Sequence, residues 1–162
     1  MTIQTGDRIA PATLMQLGAN GPETVALADK LAGRKVVLFA LPGAFTRTCS
    51  AAHLPGFMRN RDAFLAKGVD EVICVSVNDP FVMAAWGEAS GASNAGITML
   101  ADADGSFTAA MGMEFSAAAT GLFGRSQRYA MLISDGVVKV LHAEAKRGVC
   151  DISSAETMLA AV

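Results

Sequence analysis

The run Pro42-Gly43-Ala44-Phe45-Thr46-Arg47-Thr48-Cys49 gathers side chains whose types could do chemistry together. A cysteine attacks as its thiolate, so its reactivity depends on what surrounds the sulfur. Cys49 falls where a helix is expected to begin, and there the unpaired backbone N–H groups and the helix dipole favour the anion. Thr46 lies one helical turn earlier and can hydrogen-bond the sulfur or a substrate oxygen. Pro42 fixes its own φ and can shape a loop that shields the thiol. A second run, Arg128-Tyr129-Ala130-Met131, begins with a guanidinium. Its fixed fork of donors suits a thiolate and a developing oxyanion. His53 follows Cys49 by four residues, but the spacing is read as packing or capping near Pro55-Gly56 rather than as a Cys-His dyad. Two further thiols, Cys74 and Cys150, compete to pair with Cys49.

These residues need a scaffold, and the chain alternates strand and helix patterns. Residues 13–17 and 23–28 flank Asn20-Gly21, a hairpin signal. Residues 36–41 form an apolar strand expected at the centre of a sheet covered on both faces. A helix is predicted from about Cys49 to Ala66, stopping at Gly68. Strand 71–77 follows. Asp79-Pro80 then reads as an N-cap with proline at the first helical position, opening a helix to about Ala89. A short strand near 98–101 and a helix near 106–111 come next. Strands 128–134 and 137–143 are joined by Asp135-Gly136, a strong hairpin signal. Ser153-Ser154-Ala155-Glu156 has a capping-box pattern and starts the last helix. This order is that of an α/β, thioredoxin-like core carrying an N-terminal β-hairpin and an insertion, with a central mixed sheet flanked by helices. Strands 36–41, 71–77 and 137–143 should run parallel, and 128–134 opposite to them. One sheet edge then collects the loop after 36–41 and the start of 128–134, bringing Cys49 and Arg128 together.

Composition excludes several classes. The 162 residues suit one domain over the whole chain. A net charge of −2 argues against a nucleic-acid module. The chain is 52% hydrophobic, yet its longest clean apolar run, Val36–Leu41, is far too short to span a bilayer. The first residues lack the basic and apolar regions of a secretory signal, so the cytoplasm is the expected location. Three cysteines are an odd set, wrong for a disulfide scaffold, and none forms Cys-x-x-Cys, which weighs against a disulfide oxidoreductase. No cysteine-histidine cluster has metal-ligand spacing and no glycine-rich phosphate loop follows a strand, so neither metal nor bound cofactor is expected.

Pro42-x-x-x-Thr46-x-x-Cys49 resembles the active-site signature of peroxiredoxins. The longer stretch through His53-Leu54-Pro55-Gly56-Phe57 is similar to the peroxiredoxin-5, or type II, branch, as are Val75-Ser76-Val77-Asn78-Asp79-Pro80-Phe81-Val82 and Arg128-Tyr129-Ala130-Met131. The resemblance covers nearly the whole chain. Arg47 departs from it, standing where many relatives carry proline; it should loosen the loop, add a cation near the thiol and alter rate or substrate preference. The resemblance implies a thiol peroxidase in which Cys49 attacks hydrogen peroxide or an alkyl hydroperoxide and becomes a sulfenic acid. Glutathione with glutaredoxin, or thioredoxin, would then restore the thiol. It also implies a homodimer, for which Phe45, Trp86, Leu122 and Phe123 are candidate contacts. A peroxide-sensing switch or holdase using the same cysteine is the alternative.

Thiolate population alone does not make a fast peroxidase. Lowering a thiol pKa from about 8.5 to about 6 raises the thiolate roughly thirtyfold at pH 7. Falling nucleophilicity returns about tenfold of that. Donors aimed at charge developing on the peroxide must supply the rest, and Thr46, Arg128 and the Cys49 N–H are the candidates. For resolution of the sulfenate, Cys74 sits mid-strand, about 10 Å below the active edge at ~3.3 Å per residue. Cys150 lies in the loop after 137–143, at that edge and expected to be exposed. The resemblance places a resolving cysteine at the Cys74 position in some plant relatives and in the Cys150 loop in animal ones. Cys150, Cys74 and an external thiol all remain open.

Overall fold

The computed structural model describes residues 1–162. The strands are β1 (Thr13–Gly18), β2 (Gly21–Ala26), β3 (Lys35–Ala40), β4 (Glu71–Ser76), β5 (Thr98–Ala101), β6 (Glu114–Ala117), β7 (Leu122–Ser126), β8 (Tyr129–Ser134) and β9 (Val137–Ala143). The helices are α1 (Leu27–Leu31), α2 (Leu54–Ala66), α3 (Pro80–Ser90), α4 (Ser106–Ala110) and α5 (Ala155–Ala161), and a π-helical turn, Cys49–His53, leads into α2. Seven strands form one sheet in the order β2-β1-β5-β4-β3-β8-β9, while β6 and β7 pair as a separate hairpin. β3 runs parallel to β4 and antiparallel to β8, and β8 is antiparallel to β9. This is the thioredoxin-like mixed sheet that the element order predicts.

Alternation along the central strands divides the interior into two layers. Val37, Phe39 and Leu41 join Val72 and Cys74 of β4 in the layer that packs under α2, α3 and α5. Val36, Leu38 and Ala40 join Ile73 and Val75 in the other, with Phe107 of α4 and Leu27 and Leu31 of α1. A strand apolar on both faces can only sit in the middle, which is why β3 is fully covered. On α2, Leu54, Phe57 and Phe64 are buried, each contributing roughly 1.5–3 kcal/mol of burial free energy. Cys49 and Cys74 therefore lie on the same face of the sheet.

Local chemistry sets the element ends. Asp79 accepts from the Val82 N–H at 2.9 Å and Pro80 opens α3, as the sequence predicts. Asp135 and Gly136 both have positive φ, +47° and +74°, matching the twist of a two-residue hairpin. Other expectations need correction. The first hairpin turns through Ala19-Asn20, because Gly18 pairs with Gly21, and β2 ends at Ala26 where α1 begins. The cap of α5 is Ser154, whose Oγ accepts from the Thr157 N–H at 3.3 Å, not Ser153. The β6–β7 hairpin, which lines the active edge, was not anticipated. Trp86, a candidate subunit contact, is buried, whereas Phe45 and Phe123 stay 57% and 65% exposed.

Candidate active site

Cys49 is fully buried at the end of the loop that leaves β3. That loop is pinned from several sides. The Ala44 N–H donates to Asn78 Oδ1 at 3.0 Å, and Ser76 Oγ donates to the same oxygen at 2.7 Å. Arg125 Nη1 donates to the Pro42 carbonyl at 3.3 Å. A Cβ on residue 43 would come within 2.7 Å of that nitrogen, so a side chain there would push the Arg125 guanidinium from its present place. Phe45 takes φ +62°, an uncommon and costly conformation for an aromatic residue, held by its surroundings.

The regular ladder expected from Cys49 onward is replaced by the π-helical turn, in which the Leu54 N–H reaches back to the Cys49 carbonyl. Pro55 supplies the reason: it has no N–H to give to Ala51, so the α-helical pattern cannot continue through it. Single π turns often mark functional sites. The Ser50 N–H bonds the Thr46 carbonyl at 2.9 Å, whereas the Cys49 N–H donates to no acceptor within the protein. A free donor thus remains beside the sulfur.

The topology brings Arg128 to Cys49 across 79 positions of sequence. Its Nη2 donates to Cys49 Sγ at 3.1 Å and its Nη1 donates to His53 Nδ1 at 3.0 Å. On the far side of the ring, His53 Nε2 donates to the Ser153 carbonyl at 3.0 Å. A carbonyl can only accept, so that bond sets the tautomer and leaves the Nδ1 lone pair for Arg128. Burial, then the Arg128 charge, hold the His53 pKa down to about 3 against the raising effect of the Ser153 bond. The ring is neutral at working pH. Arg128 is oriented without being neutralised, since it forms no ion pair with a carboxylate. Its charge faces the sulfur and whatever approaches it, and also acts on Glu144.

Glu144 anchors the strap that follows β9. Its Oε1 accepts from the N–H groups of Asp151 and Ser153, at 2.6 and 2.9 Å, and from Ser153 Oγ at 2.8 Å. Burial pushes the Glu144 carboxyl up, but these bonds and the Arg128 charge together hold it below the usual range. Thr48 Oγ1 donates to the Gly148 carbonyl at 3.2 Å, clipping the strap to the turn that bears Cys49. Cys150 hangs between these two ties. It is half-buried rather than exposed as expected, and burial raises its thiol above the ordinary range. Cys74 is fully buried and paired mid-strand with Phe39 and Met99, its thiol pushed well up by burial and then by Cys49. All three thiols are free.

Of the residues singled out in sequence, Cys49, Arg128, Thr46 and Pro42 converge. Thr46 departs in detail: its Oγ1 donates to the Gly43 carbonyl at 2.7 Å, not to the sulfur. Its hydroxyl can therefore accept the proton of a hydroperoxide rather than donate. His53, Arg125 and Glu144 were not recognised as site residues. His53 had a signal, the four-residue spacing that places it one turn above Cys49, but its role depends on Arg128 and on a backbone carbonyl. Arg128 and Thr46 open onto a cleft of about 640 Å³. Its other wall is the β6–β7 hairpin, through Phe115, Ala117 and Leu122.

Residues 4–159 match the redoxin family. The chain is 50% identical over 165 residues to a protein named peroxiredoxin-2E-2, chloroplastic, of Oryza sativa subsp. japonica, covering 99% of this chain and 73% of that one. Among solved structures it is similar to reduced Prx3 in complex with hydrogen peroxide from Vibrio vulnificus, with TM-score 0.92, 52% identity and 99% of each chain covered. It also superposes on peroxiredoxin 5 from Alvinella pompejana, with TM-score 0.84, 33% identity and coverage of 98% and 96%.

Proposed function

The chain belongs to the redoxin family, among its peroxiredoxins, and is a thiol peroxidase; from that premise we propose that Cys49 reduces hydrogen peroxide and alkyl hydroperoxides and is recycled by glutathione with glutaredoxin, or by thioredoxin. One observation carries the assignment of Cys49: an unpaired guanidinium donates to its sulfur in a buried site beside a free backbone N–H.

The first step is displacement at oxygen. The Cys49 thiolate forms an S–O bond with one peroxide oxygen as the O–O bond breaks. The departing oxygen carries the electron pair and takes a proton, leaving water or an alcohol and a cysteine sulfenic acid. Arg128 and the Cys49 N–H lie where negative charge spreads from sulfur to the peroxide oxygens, the position at which fixed donors lower a barrier. Thr46 Oγ1, its proton given to Gly43, accepts from the incoming hydroperoxide and fixes its direction. His53 touches no reacting atom; it is a positioning residue for Arg128.

The sulfenic acid condenses with a thiol, forming an S–S bond and releasing water. Cys150 is our choice for that thiol. Its strap is tied to the Cys49 turn through Gly148, which adopts φ +75°, and release of the Thr48 bond would free the loop. Cys74 is held on both sides by strand pairing and would need larger opening. No redox-active group other than the cysteines is required; the reducing thiol arrives as co-substrate. We place the activity in the cytoplasm, where such thiols are kept reduced, and in a homodimer with Phe45 and Phe123 as candidate contacts. The test is peroxide consumption with glutathione/glutaredoxin and thioredoxin systems side by side, for the parent and Cys49→Ser. Turnover with at least one system and its loss in the variant are expected. A variant retaining a tenth of parental activity would remove Cys49 from the reaction.

A further inference from the structure

The cleft in front of Cys49 is more charged than delivery of a neutral peroxide requires. Its lining includes three arginines, Arg47, Arg128 and Arg147, and no acidic side chain, in a chain whose net charge is −2. Arg128 is committed to Cys49 and His53. Arg47 and Arg147 are not committed: both are exposed and neither forms an ion pair. Arg147 lies over the ring of Phe115, its guanidinium carbon 5.7 Å from the centroid, which holds the cation over the hairpin wall. Glu144 lines a neighbouring recess that Arg128 and Arg147 also line, and its Oε1 is already occupied by Asp151 and Ser153. The hairpin side of the cleft offers a largely apolar surface, made by Phe115, Ala117, Ala118, Ala119 and Leu122.

Two unpaired cations and an apolar wall lining one cleft, whose Arg128 reaches the nucleophile buried behind it, complement one kind of molecule. We propose that the cleft selects hydroperoxides that carry a carboxylate at the end of a hydrocarbon chain, with Arg47 and Arg147 holding the carboxylate and the β6–β7 hairpin covering the chain. The proposal rests on the peroxidase reading above and names a substrate class for that site. The cleft volume of about 640 Å³ falls in the range that encloses ligands of this size. The reaction is unchanged in its balance. The Cys49 thiolate takes the terminal oxygen of the hydroperoxide, the O–O bond breaks, and the departing alkoxide takes one proton. The products are the hydroxy acid, its carboxylate intact, and the sulfenic acid. Arginine suits this role because its planar fork meets both carboxylate oxygens at once.

The test compares kcat/KM for a medium-chain hydroperoxy acid, kept below its micelle threshold, with that for its own methyl ester. Taking the acid-to-ester ratio within each variant cancels any change in the chemistry at Cys49. The parent should prefer the acid by about tenfold, as expected for a charge-assisted arginine–carboxylate contact at a partly open site. Arg47→Met and Arg147→Met should each lower the ratio, and the double variant should bring it to about one. High salt should erode the parental preference in the same direction. A parental ratio of one or less, or a preference that survives the double variant, would overturn the proposal. So would a parental ratio of one in which the double variant slows recycling by glutathione, because the cleft would then serve that thiol through its two carboxylates. Hydrogen peroxide turnover is measured alongside. Its absence in the parent would strike the peroxidase reading, whereas its presence with a flat acid-to-ester ratio strikes the carboxylate site alone.

Discussion

Replacing His53 with glutamine removes the one buried imidazole that the fold keeps neutral. In the unfolded chain that imidazole takes up a proton near pH 6.5; in the folded protein it resists protonation until the pH is about 3. The folded state thus binds fewer protons in this window. Stability is fully present above pH 6.5 and declines as the pH falls toward 3, by ~1.4 kcal/mol per unit once the unfolded ring is mostly charged. Between pH 7 and pH 5 this one group should cost the parent about 2 kcal/mol. The variant lacks that titration, whatever it loses at pH 7 from the packing of the ring against Phe39 and Phe57. Urea unfolding of the fully reduced protein at pH 7, 6 and 5 therefore gives a steeper fall for the parent than for His53→Gln, by about 2 kcal/mol over the range. Glu144 also titrates, but its shift lies in the carboxylate range and is shared by both proteins. Nitrogen chemical shifts of the ring supply a second reading: Nε2 should stay protonated and Nδ1 unprotonated well below pH 6. Parallel stability profiles, or a ring that titrates near pH 6.5, would refute the neutral bridge between Ser153 and Arg128.

Three further outcomes are expected. Arg128→Met should slow peroxide reduction by roughly 10²–10³-fold, the usual loss on removing one donor from developing charge, but slow alkylation by a neutral reagent far less; equal losses would mean that Arg128 acts only on the thiol. After one equivalent of peroxide without added thiol, peptide mapping should find Cys49 linked to Cys150, and Cys150→Ser should keep the first peroxide reaction while making turnover depend on a small thiol. Finding Cys49–Cys74 instead would move resolution to β4. Light scattering at micromolar concentration should give the mass of a dimer, and Phe123→Glu should shift it toward the monomer; a monomeric parent would leave the exposed Phe45 and Phe123 without that explanation.

What was legible in the sequence, and what was not, divides by where each residue finds its partner. The central strands were readable because Val36–Leu41 is apolar at every position, a pattern that only a doubly covered strand satisfies. Asp79-Pro80 and Asp135-Gly136 were readable because cap and turn chemistry lies in the residues themselves. From those elements the directions of the central strands follow, and with them the meeting of Cys49 and Arg128. The β6–β7 hairpin was hidden because it is half-exposed and packs as a separate pair, so it shows no deep apolar alternation. α1, at five residues, is too short to show a helical period. Within the site, the unread features end on backbone atoms. Thr46 turns its hydroxyl to the Gly43 carbonyl, His53 gives its proton to the Ser153 carbonyl, and Arg125 holds the Pro42 carbonyl. A carbonyl is present at every residue and leaves no mark in a sequence. The residue types therefore announced a reactive cysteine and its cation. The tautomer that keeps that cation charged, and the direction in which the threonine faces its substrate, depend on carbonyls that only the folded chain brings into place.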